Sequence, residues 1–99
     1  MKWTVGFKAE AAAEAEETFL WYESQSPGLG HEFLRSLEVC LASIQRFPEA
    51  GQEVHPLIRR AMLRRFPFGV FYLASNEALT IYAVFHFSRD PSDLTDRFQ

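Results

Sequence analysis

The feature that most constrains the fold of this sequence is a tight break at 26–30 (SPGLG) between two stretches of helix-forming residues. Before the break, residues 9–25 (AEAAAEAEETFLWYESQ) are rich in Ala and Glu, both strong helix formers, and lack Gly and Pro. After the break, a second helix is predicted to run to about Arg46. Because so short a turn leaves two successive helices side by side, the sequence predicts an antiparallel helical hairpin.

Both predicted helices carry apolar residues at helical spacing. The stripe of the first helix comprises Ala12, Ala15, Phe19 and Tyr22, and that of the second comprises Leu29, Phe33, Leu37, Leu41 and Ile44. Such stripes are typical of helices that pack one face against a core. Phe19, Trp21 and Tyr22 cannot all point inward from one helix, so we expect part of this aromatic surface to be available to a partner.

Alternating patterns indicate four strands around these helices. Residues 3–8 (WTVGFK) place Trp, Val and Phe at every second position, which is typical of a short strand. Three further runs, rich in β-branched and aromatic residues, are predicted to be strands at about Ile58–Phe66, Phe68–Ser75 and Leu79–His86. Pro67 marks the boundary between the first two of these runs.

The remaining segments are expected to connect or end these elements. Residues 47–56 are predicted to form a connecting loop, and the tail at 88–99 one or two helical turns or a frayed end. The 99 residues correspond to a single domain with the order β-α-α-β-β-β. A helical hairpin on one face of a mainly antiparallel sheet would bury both apolar faces, so the predicted fold class is α+β.

Composition excludes several kinds of protein and site. A single cysteine, Cys40, allows no disulfide within the chain and is expected to pack as a small apolar residue. Three scattered histidines with this cysteine give no metal-ligand spacing, and no glycine-rich phosphate loop follows a strand, so we predict no metal or cofactor. No signal peptide and no run of 18 apolar residues is visible, which predicts a cytoplasmic protein without a membrane partner.

The net charge of −3 is unevenly distributed. Residues 1–56 contain nine acidic and four basic side chains, whereas residues 57–99 contain six arginines and four acids. A mildly acidic chain is a poor general binder of nucleic acid, so we predict no sequence-specific DNA binding. The arginine-bearing half could still present a local site for anionic groups.

Four arginines lie within seven residues of the first C-terminal strand run. Alternation predicts Arg60 and Arg64 on one face of that strand, and Arg59 and Arg65 on the other. Because both faces carry arginine, the strand is expected to be an edge strand or only partly covered, and the simpler interpretation of the arginines is solubility and edge protection. The alternative is a site for phosphate or carboxylate groups, which guanidinium groups bind through two parallel hydrogen bonds.

His86 and Arg89 follow at the end of the last predicted strand. A histidine there could transfer protons, and a nearby arginine could stabilise a negatively charged transition state. A lone histidine on an apolar strand is, however, more often a hydrogen-bonded structural residue. The pair therefore defines a hypothesis for catalysis beside the commoner structural interpretation.

Four stretches taken together resemble a known family. They are WYExQxPGLG at 21–30, FPxxG at 47–51, LRRFPFxVxY at 63–72 and AVxHxxRxP at 83–91. Their order and spacing resemble the RelE/ParE superfamily of toxins, and more closely its ParE-like, plasmid-stabilisation branch. The resemblance covers nearly the whole chain, and it implies a helical hairpin against an antiparallel sheet and a cognate antitoxin as partner.

The resemblance also implies two alternative activities. ParE-like members are associated with inhibition of DNA gyrase, whereas RelE-like members cleave mRNA on the ribosome with basic residues and a C-terminal Tyr or His. Gly69 stands where RelE-like enzymes often carry an arginine, and no Tyr or His follows Arg89. Loss of a proton-transfer group should slow RNA cleavage by orders of magnitude.

We therefore predict a toxin that inhibits gyrase and is neutralised by an antitoxin. The residues predicted to bind the target or the antitoxin are Trp21, Tyr22, Arg60, Arg64, Arg65, His86 and Arg89. The alternative is a ribosome-dependent endoribonuclease using Arg64, Arg65, His86 and Arg89. A third possibility is a non-toxic domain that retains only antitoxin binding.

Overall fold

A computed structural model describes residues 4–98 as two helices, five strands and a short C-terminal helix. In chain order these are β1 (Thr4–Phe7), α1 (Ala9–Gln25), α2 (Leu29–Arg46), β2 (Gln52–His55), β3 (Ile58–Met62), β4 (Phe68–Ser75), β5 (Ala78–His86) and a 3-10 helix (Pro91–Phe98), here called the tail helix. The predicted α+β class and the helical hairpin are confirmed. Trp3, which was predicted to begin the first strand, lies outside the described residues.

The five strands form one sheet in the order β1-β5-β4-β3-β2. Strand β1 pairs in parallel with β5, and the other three pairings are antiparallel. This confirms a mainly antiparallel sheet. The one parallel pairing arises because the helical hairpin carries the chain across the sheet between β1 and the remaining strands.

Strand β2 is a correction to the sequence-based prediction, which treated 47–56 as a loop. Gln52 pairs with Arg60 and Glu53 with Arg59. The segment is four residues long and mostly polar, so it lacks the alternation by which a strand is recognised. Its pairing makes β2 the edge strand, so the arginine-bearing strand is not the edge; Arg59 and Arg60 are partly exposed, which agrees with the alternative that this strand is only partly covered.

Strand β3 is shorter than predicted, because it ends at Met62 instead of Phe66. Arg64 and Arg65 lie in the turn to β4, where Arg65 adopts a left-handed backbone conformation with φ of 72°. The amide of Leu63 donates to the carbonyl of Phe68 at 3.0 Å and so closes this turn. Strand alternation does not apply to Arg64 and Arg65, and their predicted placement on opposite faces of a strand is wrong.

The helical hairpin closes around the carboxylate of Glu23. This side chain accepts hydrogen bonds from the amide of Gly28 at 2.9 Å and the amide of Gly30 at 2.8 Å. The bond from Gly28, and to a smaller extent that from Gly30, lowers the pKa of Glu23 below its usual value. A Cβ on Gly30 would lie 2.5 Å from the carbonyl oxygen of Phe19, so the two helices approach too closely there for any larger residue.

The main core lies between the hairpin and one face of the sheet, and the apolar stripe of α2 is confirmed. Its largest fully buried side chains are Phe33, Val70, Tyr72, Leu79 and Ile81. In α1, Ala15 is buried and Phe19 and Tyr22 pack against the core as predicted, whereas Ala12 is exposed and Ala11 is buried instead. Cys40 is buried as predicted, and burial raises the pKa of its thiol to about 11.

The opposite face of the sheet is covered by the tail helix. Leu94 is fully buried there in a second cluster with Ile58, Phe71, Ala83 and Phe85. Phe98 packs against the same cluster, and its ring centroid lies 5.0 Å from that of His55. Leu94 and Phe98 thus lie on the side of the tail that faces the sheet, and the tail forms a second layer that the sequence did not predict.

Candidate functional site

A carboxylate–arginine cluster joins the tail helix to α1 and β5. Glu14 accepts the amide hydrogen of Val84 through Oε1 at 3.0 Å and binds Arg97 Nη2 through Oε2 at 2.8 Å. Strand β1 pairs with β5 only as far as Ile81, so Glu14 takes the place of a neighbouring strand at Val84. The hydrogen bond from Arg97 to this carboxylate raises the pKa of the arginine further.

Arg60 and Arg89 lie on the tail-helix side of the sheet, where they line one small cavity of about 50 Å³. The guanidinium carbon of Arg89 lies 3.7 Å from the ring centroid of Phe85, within stacking distance, and its Nη1 is 3.9 Å from Glu14. Phe87 lines the same cavity and is 55% exposed. We call Arg60, Gly69, Phe85, Phe87 and Arg89 the tail-side cluster.

Gly69 determines how the side chain of Arg60 lies in this cluster. A Cβ on Gly69 would be 3.2 Å from Cγ of Arg60, closer than most such contacts. The absent side chain leaves the space over which the methylene groups of Arg60 extend. The guanidinium group then reaches the sheet edge, where Arg60 Nη2 donates to Oε1 of Gln52 at 2.7 Å.

The ring of His86 lies on the other face of the sheet from Phe85. Its centroid is 5.1 Å from that of Phe68, which belongs to the helix-side core. Nδ1 of His86 accepts the amide hydrogen of Ser88 at 3.0 Å and lies 2.9 Å from the Ser88 hydroxyl oxygen. His86 borders the tail-side cavity, but its imidazole points toward α1, and its Nδ1 is hydrogen-bonded to Ser88.

Trp21, Tyr22 and His86 share a groove between α1 and the end of β5, with a volume of about 650 Å³. Trp21 is 58% exposed, whereas Tyr22 packs 5.0 Å from Phe66 between ring centroids and is only partly exposed. Burial raises the pKa of the Tyr22 hydroxyl. The expectation that the α1 aromatics cannot all face the core is confirmed, with Trp21 as the exposed one.

Arg64 and Arg65 line a different groove, between α2 and the β3–β4 turn, with a volume of about 710 Å³. We call it the α2 groove. The carbonyl of Arg64 accepts a hydrogen bond from the Ser36 hydroxyl at 2.8 Å. Nη2 of Arg65 forms an exposed ion pair with Glu32 at 3.1 Å. The predicted residues therefore fall into three groups, on the tail side, along α1 and along α2.

Sequence reasoning missed the residues that hold the tail in place. Glu14 is one of several glutamates in an Ala/Glu-rich helix, and nothing in its sequence context separates it from Glu16 or Glu17. Arg97 lay in a segment whose order was left open. Arg59, which the sequence grouped with the other arginines, instead donates to the carbonyls of Glu49 and Gly51 and supports the loop before β2.

The structure of residues 4–98 supports neither a metal site nor a membrane-spanning helix. Within it, no group of three or more His, Cys, Asp or Glu side chains could hold a metal ion. None of the helices in those residues is long and apolar enough to cross a membrane.

Comparisons with known proteins show which fold the chain has. A scan against protein-family models and a search of curated proteins found no match. Among solved structures, a chain of the chromosomal ParDE TA system from P. aeruginosa is similar, with a TM-score of 0.62 and 13% sequence identity. The similarity covers 85% of this chain and 95% of that chain. The chain has a ParE-like fold. The fold that the resemblance to the RelE/ParE superfamily implied is thereby confirmed.

Proposed function

We propose that this chain is the toxin of a type II toxin–antitoxin system, held inactive by a cognate antitoxin in the cytoplasm. The observation that carries the proposal is the ParE-like fold, shared over 95% of a chain from a ParDE toxin–antitoxin system. An exposed apolar side chain lines a groove along each helix, with Trp21 at 58% along α1 and Val39 at 61% along α2, and apolar grooves of this kind support a protein partner.

The proposed mode of action is binding and inhibition of DNA gyrase through the tail-side cluster. The guanidinium groups of Arg60 and Arg89 are hydrogen-bond donors, so they can bind anionic groups but do not supply a proton acceptor. Phe87 adds exposed apolar area beside them. Such a combination of arginine and aromatic side chains is common at the centres of protein–protein interfaces.

The geometry supports this mode over RNA cleavage. An endoribonuclease needs a group that can remove and return protons beside the arginines that bind the phosphate. The imidazole of His86 lies against Phe68 on the helix side of the sheet, whereas Arg89 stacks on Phe85 on the tail side. Arg64 and Arg65 border the α2 groove, so the four residues of the nuclease alternative do not converge on one cavity.

The test is induced expression of the chain alone in a bacterial host, with growth, mRNA integrity and DNA supercoiling followed together. We expect growth arrest with intact mRNA and altered supercoiling or DNA breaks. The double variant Arg60→Ala, Arg89→Ala should relieve the arrest, whereas His86→Ala should retain it. Phe47→Ala, at an exposed position away from the tail side, serves as a control for expression and folding.

Two other outcomes would contradict the proposal. Rapid loss of mRNA that depends on His86 would show a nuclease and would require a rearrangement that brings the imidazole to the arginines. Unimpaired growth with soluble protein present would show that the chain retains the fold and has no toxic activity. A domain of that kind could still bind an antitoxin, which is the third function considered.

A further inference from the structure

Strand β1 forms one edge of the sheet, and its outer side carries unpaired backbone groups. On the inner side, the amide of Thr4 donates to the carbonyl of Glu77 at 3.0 Å, and the amide of Lys8 to that of Ile81 at 2.9 Å. Because successive residues of a strand direct their backbone groups to opposite sides, those of Val5 and Phe7 point away from β5. Among residues 4–98 no strand pairs with that side of β1. Val5 and Phe7 therefore each offer an amide and a carbonyl to another strand.

The opposite edge of the sheet is protected against such pairing, whereas β1 is not. Strand β2 carries Glu53, has a register shift between Glu53 and His55, and is followed by Pro56. Charged side chains, bulges and proline are the usual means by which proteins prevent an edge strand from pairing. The four residues of β1 (TVGF) include none of these features. Helix α1 packs mainly on β5, one strand inward, and so leaves the β1 edge uncovered.

The side chains of β1 suit pairing with a second copy of the same strand. When two β1 strands pair antiparallel about a two-fold axis at Gly6, Phe7 of one copy faces Val5 of the other, and the hydrogen bonds run between these two residues. Aromatic and β-branched residues form favourable cross-strand pairs. Phe7 is 37% exposed and Val5 is partly exposed, so both have surface left to bury. The symmetry repeats this pair on each side of the axis.

Gly6 suits the position on the axis. In this register the two Gly6 residues form a pair without hydrogen bonds, and the α-carbons of such pairs approach to about 4.5 Å. Gly6 is exposed, and no atom lies within 4 Å of a Cβ built on it, so the chain does not obstruct this approach. Thr4 lies opposite Lys8 of the second copy, so no like charges face each other. The ammonium group of Lys8 is directed inward, 5.5 Å from the ring centroid of Tyr82 in β5.

We propose that two copies of this chain associate through β1, so that the five strands of each copy join into one continuous sheet. Strand β1 contributes four residues, whereas stable interfaces typically use about 20–30 residues a side, so the association is weak and depends on concentration. The two-fold axis of such a pair is perpendicular to the sheet. Both tail-side clusters therefore lie on the same surface of the dimer, and both helical hairpins lie on the other.

Cysteine cross-linking tests both the pairing and its register. Gly6→Cys should form a disulfide between two copies under mild oxidation, because residues on the axis meet at a distance that a disulfide spans. Thr4→Cys should link to itself at least tenfold more slowly, because its two copies lie four positions apart along the paired strands, roughly 13 Å. Cys40 does not interfere, since it is buried and burial raises the pKa of its thiol to about 11.

A mixture of two variants provides the matched control. Lys8→Cys, like Thr4→Cys, should link poorly to itself. An equal mixture of Thr4→Cys and Lys8→Cys chains should link into mixed dimers, because these two positions face each other in the proposed register. The linking rate of Gly6→Cys should rise with protein concentration, and it should fall to that of Thr4→Cys when urea unfolds the chain.

A measurement without cysteines uses the amide chemical shifts of the isotope-labelled chain. In the unaltered chain, the shifts of Val5 and Phe7 should change as the protein is concentrated. Phe7→Lys should abolish this change, because it removes the contact with Val5 of the second copy and places a charge on the edge. Phe47→Lys adds the same charge at an exposed phenylalanine on the β2 side of the sheet and should retain the change.

Three results would overturn the proposal. Equal linking rates for Gly6→Cys and Thr4→Cys would show random collision of exposed thiols. Failure of the mixed Thr4→Cys and Lys8→Cys chains to link would exclude the register. Amide shifts of β1 that stay constant over the whole range of concentration would show that this edge remains unpaired between copies.

Discussion

Replacing Leu94, in the tail helix, by alanine should lower the free energy of unfolding, although the residue is the sixth from the end of the sequence. Leu94 has no exposed surface and packs with Ile58, Phe71, Ala83 and Phe85. Truncation of a buried leucine removes its contacts and leaves a cavity, which typically costs about 2–5 kcal/mol. We expect the lower half of that range, because a short helix at the surface can move to fill part of the space.

The expected loss is large relative to the stability of so small a protein. Domains of this size unfold with about 5–15 kcal/mol, and each kcal/mol corresponds to roughly 4–8 °C in Tm. A loss of about 2–3 kcal/mol should therefore lower Tm by at least about 8 °C. Unfolding in urea, followed by far-ultraviolet circular dichroism, gives the free energy directly and shows through the slope whether the transition stays two-state.

A second measurement distinguishes a loosened tail from a generally weakened core. Trypsin should cleave after Arg89 and Arg97 faster in Leu94→Ala than in the unaltered chain, under conditions where the rest of the chain stays intact. Asp96→Ala, an exposed neighbour in the tail helix, is the control and should change neither quantity. If Leu94→Ala unfolds within about 0.5 kcal/mol of that control, the tail contributes no more than an ordinary surface substitution and its assignment to the core is refuted.

Three further predictions concern the helix-side core and its loops. Gly30→Ala should destabilise the fold by about 1–3 kcal/mol or more, since its Cβ would meet the carbonyl of Phe19, whereas Gly6→Ala, with open space around it, should be nearly neutral in the same thermal unfolding assay. Tyr72→Phe should lower the free energy of unfolding in urea by about 1–3 kcal/mol, because the hydroxyl group donates to the carbonyl of Pro48 and accepts from the amide of Gly51 in the loop after α2. An unchanged free energy of unfolding would show that water replaces the hydroxyl group in these hydrogen bonds. Because the pKa of Glu23 is lowered in the folded chain, its carboxylate stabilises the fold at a pH above the usual glutamate pKa, and this stabilisation is lost as the pH falls through the pKa of the folded state. Glu23→Gln should therefore have a lower free energy of unfolding than the unaltered chain at neutral pH, and the two should become equally stable in acid.

The helical hairpin could be predicted because its signals are local. Helix propensity, the SPGLG break and the apolar spacing of α2 all lie within a few turns of one another, and the structure follows them. The first position of the α1 stripe was the exception, since consecutive alanines at 11–13 look alike in sequence. Only the position of the sheet decides that Ala11 is buried and Ala12 is exposed.

The sheet was predicted less completely, because its missing parts depend on partners distant in sequence. Strand β2 is a strand only through its pairing with β3, and β3 ends where the chain must reverse to pair with β4. The left-handed conformation of Arg65 has no sequence signal comparable to a glycine or an asparagine. Two of the four clustered arginines were therefore assigned to the wrong kind of element.

The candidate site shows the same division. We predicted from the number of arginines and aromatic residues, and from the family resemblance, that these residues bind the partners. Their grouping was decided by the tertiary structure, which placed Arg60 and Arg89 on one face, His86 on the other, and Arg64 and Arg65 beside α2. The role of Glu14 could be seen only in three dimensions, because its partners Val84 and Arg97 lie 70 and 83 residues away in the chain.

The sequence by itself thus determined the α+β class, the hairpin, three of the five strands with nearly their bounds, and the resemblance to the RelE/ParE superfamily. These properties depend on short-range periodicity, on turn residues and on the order of motifs along the chain. The tertiary structure alone decided which strand forms the edge, how the tail covers the second face, and which side chains share a surface. The physical reason is that burial and pairing across the sheet depend on residues from distant parts of the chain, and the local sequence pattern does not indicate which of these residues come together.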